Sequence, residues 1–163
     1  MILLLHKDEK VTKITDIESN QLIDLHVDNP IMSLFKLANE YPNRILVWCH
    51  ESLQSNINFE VIKSAFKLKN TMLSFSDGQY LSEQIGYVED SPFLKVNKEI
   101  KYPTWLVSSF VGAILSSQLL KFENQLNTNE SFDFALNSIS KLGLTNGLFC
   151  YSEPKLLNHF DGI

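Results

Sequence analysis

The chain has 163 residues, of which 44% are hydrophobic and 20% charged, and this composition is typical of one globular domain with its own core. Its formal charge of −5 argues against a nucleic-acid-binding surface, because such a surface needs an excess of Lys and Arg. The apolar block Ile2 to Leu5 is too short for a signal peptide or a membrane span. We therefore expect a single cytoplasmic domain over residues 1–163, alone or within a longer polypeptide.

Three strands are predicted in the first part of the chain, at Ile2–Leu5, Val11–Ile17 and Gln21–Val27. A helix follows them, because Asp28, Asn29 and Pro30 form a typical helix start. Apolar residues then recur at helical spacing until Tyr41-Pro42-Asn43, where the proline predicts the end of the helix.

The next predicted strand, Ile45–Trp48, is continuously apolar, which is typical of a central strand covered on both faces. A helix capped by Asn56 or Asn58 and a strand at Thr71–Phe75 are expected after it. Ser76-Asp77-Gly78 predicts a turn, and the less regular region from Gly86 to Pro103 contains one possible strand at Phe93–Val96.

In the last part of the chain, the residue pattern predicts an extended segment from Trp105 to Gly112 and a helix that begins at Ser116 or Ser117. A polar loop at Asn124–Glu130 precedes an amphipathic helix that ends at Gly143. A strand at Leu148–Tyr151 and a tail from Pro154 complete the chain. This alternation predicts an α/β fold, as a single three-layer domain with a mixed, mostly parallel central sheet.

Three reactive side chains, Cys49-His50-Glu51, stand where the predicted central strand ends. Ligands of open α/β sheets bind at such carboxyl ends. A zinc site would need further His or Cys residues at ligand spacing, and Cys49 as a nucleophile would need a base nearby. A strand that simply ends at the surface is the alternative.

Asp133 is the most notable acidic residue elsewhere, because it lies near the start of the apolar helical stretch Ser131–Leu136. A carboxylate there could act as a general base, as could those of Glu89-Asp90 or of Glu123 and Glu130. A negative charge near a helix start is also favourable for structural reasons alone.

Several aromatic residues could form a platform for a sugar ring, since aromatic faces pack on CH-rich surfaces while polar edges bind hydroxyls. They are Tyr80, Tyr87, Tyr102, Trp105 and Tyr151. Packing in the core is the alternative explanation, for Trp105 in particular.

The second half of the chain resembles the acceptor-side half of a GT-A glycosyltransferase domain of the glycosyltransferase family 2 type, over roughly residues 29–157. RILVWCHESL from Arg44 resembles the strand that carries the DxD metal motif of that family. WLVSSFVGAILSSQLLKF from Trp105 resembles the acceptor-lining strand and helix. SFDFALNSISKLGL from Ser131 resembles the segment with the catalytic acid, and FCYSEPKLL from Phe149 resembles the strand that follows.

The resemblance implies a site with a definite set of residues. Asp133 would be the catalytic base, Glu51 a metal ligand, and Trp105, Tyr102, Tyr87 and Gly112 would contact the acceptor. An active enzyme would use Mn²⁺ or Mg²⁺ with a nucleotide-sugar donor; otherwise no cofactor is expected. The family's metal site needs two carboxylates for a hard cation, whereas Glu51 is the only acidic residue of its triplet.

Three functions are compatible with these observations. The preferred one is a degenerate, amino-terminally shortened glycosyltransferase-like domain that binds a carbohydrate, or a partner domain or protein, without metal-dependent sugar transfer. The second is an active family 2-like transferase that moves a sugar from a nucleotide sugar to a glycan. The third is a small α/β protein-interaction domain.

Overall fold

The computed structural model describes residues 1–75, 90–91, 94–95, 97 and 99–163, with the backbone alone at 90–91 and 94–95. The predicted turn at Ser76–Gly78 and the residues Tyr80, Tyr87 and Glu89 lie outside this part of the chain. So do Phe93 and Val96, the two ends of one predicted strand.

The described residues form one sheet of eight strands and a separate sheet of two antiparallel strands. In chain order the strands are β1 Ile2–Lys7, β2 Lys10–Asp16, β3 Gln21–Leu22, β4 Ile45–His50, β5 Thr71–Ser74, β6 Asp90–Ser91, β7 Leu94–Lys95, β8 Tyr102–Pro103, β9 Val111–Leu115 and β10 Phe149–Ser152. The order in the large sheet is β3-β2-β1-β4-β9-β5-β10-β8, and β6 pairs with β7.

The large sheet is mixed, but it is mostly antiparallel, so the prediction of a mostly parallel sheet is wrong. Only the β1–β4 and β5–β10 pairs are parallel. A tight turn joins β1 to β2, which forces them to run antiparallel. Strand β9 inserts between β4 and β5 and runs antiparallel to both. The pattern of apolar runs gave no sign of this insertion.

The helices are α1 Pro30–Glu40, α2 Phe59–Ala65, α3 Ser116–Leu119 and α4 Phe132–Thr145, and short 3₁₀ segments cover Glu51–Asn56, Leu120–Gln125 and Pro154–Leu156. Capping side chains start three of the helices. Asn29 Oδ1 accepts the Met32 amide at 3.0 Å, and Asn58 and Ser131 cap α2 and α4 in the same way. The predicted starts of α1 and α2 are thereby confirmed. Within the described part of the chain, no helix is both long and apolar enough to cross a membrane.

A separate apolar core covers each face of the sheet. Trp48, Phe122 and Phe132 belong to one core, while Val47 and Leu73 belong to the other. Successive residues of β4 alternate between the two cores, because side chains of a strand point to opposite faces. The prediction that this strand is central and covered on both faces is confirmed.

Several boundaries differ from the predictions. The third strand covers only Gln21–Leu22. Residues 105–110 are not a strand, because the amides of residues 106–110 bond to side-chain oxygens instead of to the backbone of a neighbouring strand; β9 begins only at Val111. Helix α4 continues past Gly143 to Thr145. The predicted tail is a 3₁₀ turn whose Leu156 is fully buried, and the 3₁₀ turn after β4 was not predicted.

Candidate functional site

The carboxyl ends of four strands meet at one edge of the sheet. Strands β1 and β4 are parallel, β5 and β10 are parallel, and the antiparallel β9 between the two pairs makes all four run the same way. Ligands of α/β sheets bind at such an edge. Because His6, His50, Ser74 and Ser152 lie at or next to the ends of these strands, the edge is polar.

The segment Thr104–Phe110 lies along this edge and is held by the strands beneath it. The Thr104 amide donates to the carbonyl oxygen of Cys150 at 2.9 Å, and the His50 amide donates to that of Phe110 at 2.7 Å. Between these two points, the hydroxyl of buried Ser108 donates to the Phe75 carbonyl at 2.7 Å. The segment is therefore a fixed part of the edge.

Helix α4 joins the same segment through its first residues. Asp133 Oδ1 accepts the Ser109 amide at 2.9 Å. The Asn137 side chain binds both backbone groups of Val107, accepting its amide at 3.0 Å and donating to its carbonyl at 2.8 Å. Asp133 thus lies at the carboxyl edge of the sheet, where its carboxylate fixes the position of a loop.

His6 lies between α4 and the neighbouring strand and is only 5% exposed. Its Nε2 donates to the Ser109 carbonyl oxygen at 2.7 Å, and its ring meets those of His50 and Phe132 edge-on, at centroid distances of 5.7 and 5.1 Å. Burial lowers the pKa of His6, and the Ser109 bond only partly opposes that effect. His6 was not among the predicted site residues, although it lies near the end of a buried strand, as His50 does.

Glu51 begins the 3₁₀ turn after β4 and forms an ion pair with Lys7, with 3.0 Å between Oε1 and Nζ. The hydrogen bond from Lys7 lowers the pKa of Glu51, and the same bond raises the pKa of Lys7. Side chains alternate between the two faces of the sheet along β1, so Lys7 lies on the same face as Leu3 and Leu5. This face is the one opposite α4. Glu51 therefore contacts Lys7 of the β1–β2 hairpin on one face of the sheet, whereas Asp133 approaches the edge from α4 on the other face.

The residues at Glu51 do not fit a divalent cation. Mn²⁺ and Mg²⁺ need several oxygen ligands, whereas the Glu51 carboxylate already faces an ammonium group. Among the residues that the structure describes, no group of three or more His, Cys, Asp or Glu side chains could hold a metal ion.

Cys49 is buried within the second core. Burial raises the pKa of its thiol to about 12, so the thiolate form that a nucleophile requires is scarce near neutral pH. The triplet Cys49-His50-Glu51 therefore does not act as one unit, since Cys49 points into the core, His50 towards His6, and Glu51 towards Lys7.

The four residues expected to contact an acceptor have different surroundings. Trp105 is 39% exposed on the segment that lies along the edge, whereas Tyr102 is buried at 5% exposure in the outermost strand β8. Gly112 is buried in β9, where an added Cβ would come within 2.5 Å of the Leu73 carbonyl oxygen and would overlap the Trp48 indole. Tyr87 lies outside the described residues.

The fold and the edge together define the class of protein: an α/β domain with a mixed eight-stranded sheet and a polar edge at the carboxyl ends of four strands. No protein-family model, curated protein or solved structure matches the chain.

Proposed function

We propose that the chain is a glycosyltransferase-like domain of the GT-A type that binds a carbohydrate without metal-dependent sugar transfer. The order of elements supports this proposal. After β4 come α2, β5, the two-residue strands β6 to β8, the segment along the edge, the glycine-containing strand β9, α3, the carboxylate-bearing helix α4 and β10. The same order characterises the acceptor-side half of the domain that the sequence resembles.

The ion pair between Glu51 and Lys7 is the observation that carries the non-catalytic part of the proposal. The ammonium group lies 3.0 Å from the carboxylate, so it neutralises the charge that a metal ion would need. A metal ion at this place would have to displace Lys7 and would still have one carboxylate where two are required. Donor chemistry that depends on Mn²⁺ or Mg²⁺ is therefore disfavoured.

Asp133 has a structural role that does not depend on catalysis. A general base needs a carboxylate oxygen within reach of the acceptor hydroxyl, and one oxygen of Asp133, Oδ1, accepts the Ser109 amide at 2.9 Å. The bond explains the residue structurally, because it connects the start of α4 to the loop at the edge.

Trp105 supports carbohydrate binding. It combines a partly exposed indole with a position on a loop that is fixed at both ends to the sheet edge. A rigid aromatic surface loses little conformational entropy when a sugar ring packs on it. The other tryptophan, Trp48, is fully buried, so a ligand-induced change in fluorescence would report on Trp105.

A titration of the full chain with glycans, followed by tryptophan fluorescence in the wild type and by calorimetry in the variants, tests carbohydrate binding. We expect a saturable fluorescence change with at least one glycan, and a heat of binding that is lost in Trp105→Ala and retained in Phe134→Ala, which removes another exposed aromatic side chain. Saturable binding that survives Trp105→Ala, or the absence of any response across a broad panel, would contradict the proposal.

A calorimetric titration with nucleotide sugars, with and without Mn²⁺, tests the absence of metal-dependent chemistry. We expect Mn²⁺ to leave the binding of nucleotide sugars unchanged, in the wild type and in Glu51→Gln alike. Metal-dependent binding that disappears in Glu51→Gln would instead identify an active transferase, and the non-catalytic proposal would be wrong.

A further inference from the structure

An open cavity of about 480 Å³, with both polar and apolar lining, lies between the β1–β2 hairpin and the 3₁₀ turn after β4. Leu5 contributes an apolar surface to it. The polar side chains around that surface include Lys7, Thr12, Lys13, His50, Ser52 and Gln54. The cavity therefore combines cationic groups with hydroxyl and amide groups that can both donate and accept hydrogen bonds.

The register of the hairpin explains why two lysines face this cavity. Lys13 pairs with Leu5 across the two strands, and the next pair is His6 with Val11, so a bulge leaves Thr12 as the extra residue. Lys7 follows Leu5 by two residues and so shares its face of the sheet. The two ammonium groups therefore approach the cavity from neighbouring strands.

The balance of charge in the cavity is positive, although the whole chain has a net charge of −5. Glu51 is the one carboxylate among the described side chains that line the cavity, and it pairs with Lys7 at 3.0 Å. Two lysines against one carboxylate leave an excess positive charge beside Leu5. An anionic ligand would complement that excess.

We propose that this cavity binds an acidic sugar, with the oxyanion near Lys7 and Lys13 and the sugar hydroxyls against Ser52 and Gln54. Ammonium groups only donate hydrogen bonds and so match a carboxylate or a phosphate monoester. Sugar hydroxyls both donate and accept, as do the side chains of Ser52 and Gln54. The cavity uses neither Trp105 nor a metal ion, so this proposal can succeed or fail independently of the preceding one.

Calorimetric titrations of the full chain with glucuronate, glucose 6-phosphate, glucose and inorganic phosphate test the proposal. Binding of glucuronate alone identifies a carboxylate ligand, and binding of glucose 6-phosphate alone identifies a phosphate monoester. We expect at least one of these acidic sugars to bind roughly tenfold more tightly than glucose or phosphate, since a charged hydrogen bond contributes more than 1.4 kcal/mol.

Variants of the hairpin lysines locate the binding. Lys13→Met and Lys7→Met should each weaken binding by about tenfold. Lys10→Met is the matched control, because Lys10 lies in the same hairpin opposite Lys7 but outside the cavity lining, and it should leave affinity unchanged. Glu51→Gln should strengthen binding by removing the carboxylate that repels the anion, provided that thermal unfolding shows each variant to be folded.

Three results would overturn the proposal. Equal losses in Lys10→Met and Lys13→Met would show only nonspecific attraction to the hairpin. Equal affinity for inorganic phosphate and for the acidic sugars would show that the sugar ring is not recognised. Weaker binding in Glu51→Gln would show that the carboxylate contributes to the site and does not oppose it.

Discussion

The role of Asp133 can be tested by replacing it with Asn. Asparagine keeps an oxygen that can accept the Ser109 amide, now 2.9 Å from the carboxylate, but it removes the negative charge from the first turn of α4. Loss of the favourable interaction with the helix dipole costs about 0.3–1 kcal/mol. Replacing a charged hydrogen bond by a neutral one costs about 1 kcal/mol more. We therefore expect Asp133→Asn to lower the free energy of unfolding by roughly 1–2 kcal/mol.

Asp133→Ala should be more harmful than Asp133→Asn. It removes the acceptor itself and leaves the amide of Ser109 without its carboxylate partner, which raises the expected loss to about 2–3 kcal/mol. For a chain of this size each kcal/mol corresponds to a fall in melting temperature of about 2–4 °C, so the two variants should be distinguishable.

Urea denaturation monitored by circular dichroism measures both losses. Asp161→Asn is a suitable control, because Asp161 is 80% exposed and pairs with an exposed histidine; the stability of this variant should match that of the wild type. If Asp133→Asn leaves stability unchanged but abolishes a measured sugar transfer, the structural role is refuted and a catalytic one is supported.

Two further predictions concern buried residues. Gly112→Ala should destabilise the protein by about 3 kcal/mol, the upper part of the range for overpacking, because the new Cβ would meet the Leu73 carbonyl oxygen and the Trp48 indole. A lower urea midpoint with red-shifted Trp48 fluorescence would show this destabilisation. An unchanged midpoint would contradict the prediction. Burial lowers the pKa of His6 below its ordinary value of 6.5, so the unfolded chain binds a proton at this residue more readily than the folded chain does. The contribution of His6 to stability should therefore be fully present above pH 6.5 and should be lost as the pH decreases. His6→Gln should reduce this slope, and an identical slope in wild type and variant would show that His6 is not its source.

Local signals in the sequence predicted individual elements well. The Asn29-Pro30 pair marks the start of α1 because its cap is formed by neighbouring residues. The uninterrupted apolar character of β4 identified a strand covered on both faces, because burial acts on each residue separately. Both signals are properties of adjacent residues and do not depend on distant parts of the chain.

The prediction of the site was less complete, because its contacts join distant residues. His6 bonds to Ser109 and Ser109 to Asp133, and the sequence gives no indication of either pairing. The sequence selected Asp133 and Glu51 as carboxylates of interest but could not show that Lys7 lies beside Glu51. Gly112 was predicted to line an acceptor site; the structure adds that its missing Cβ makes room for the Trp48 indole.

The sequence by itself determined most of the longer strands and helices, because caps, prolines and the periodicity of apolar residues act over a few neighbouring positions. Only the tertiary structure decided the order and direction of the strands, through the antiparallel insertion of β9 between β4 and β5. That insertion brings His6, His50 and the loop before β9 to one edge of the sheet. The free energy that selects it comes from two cores packed on opposite faces of the sheet, and no short stretch of sequence contains that information.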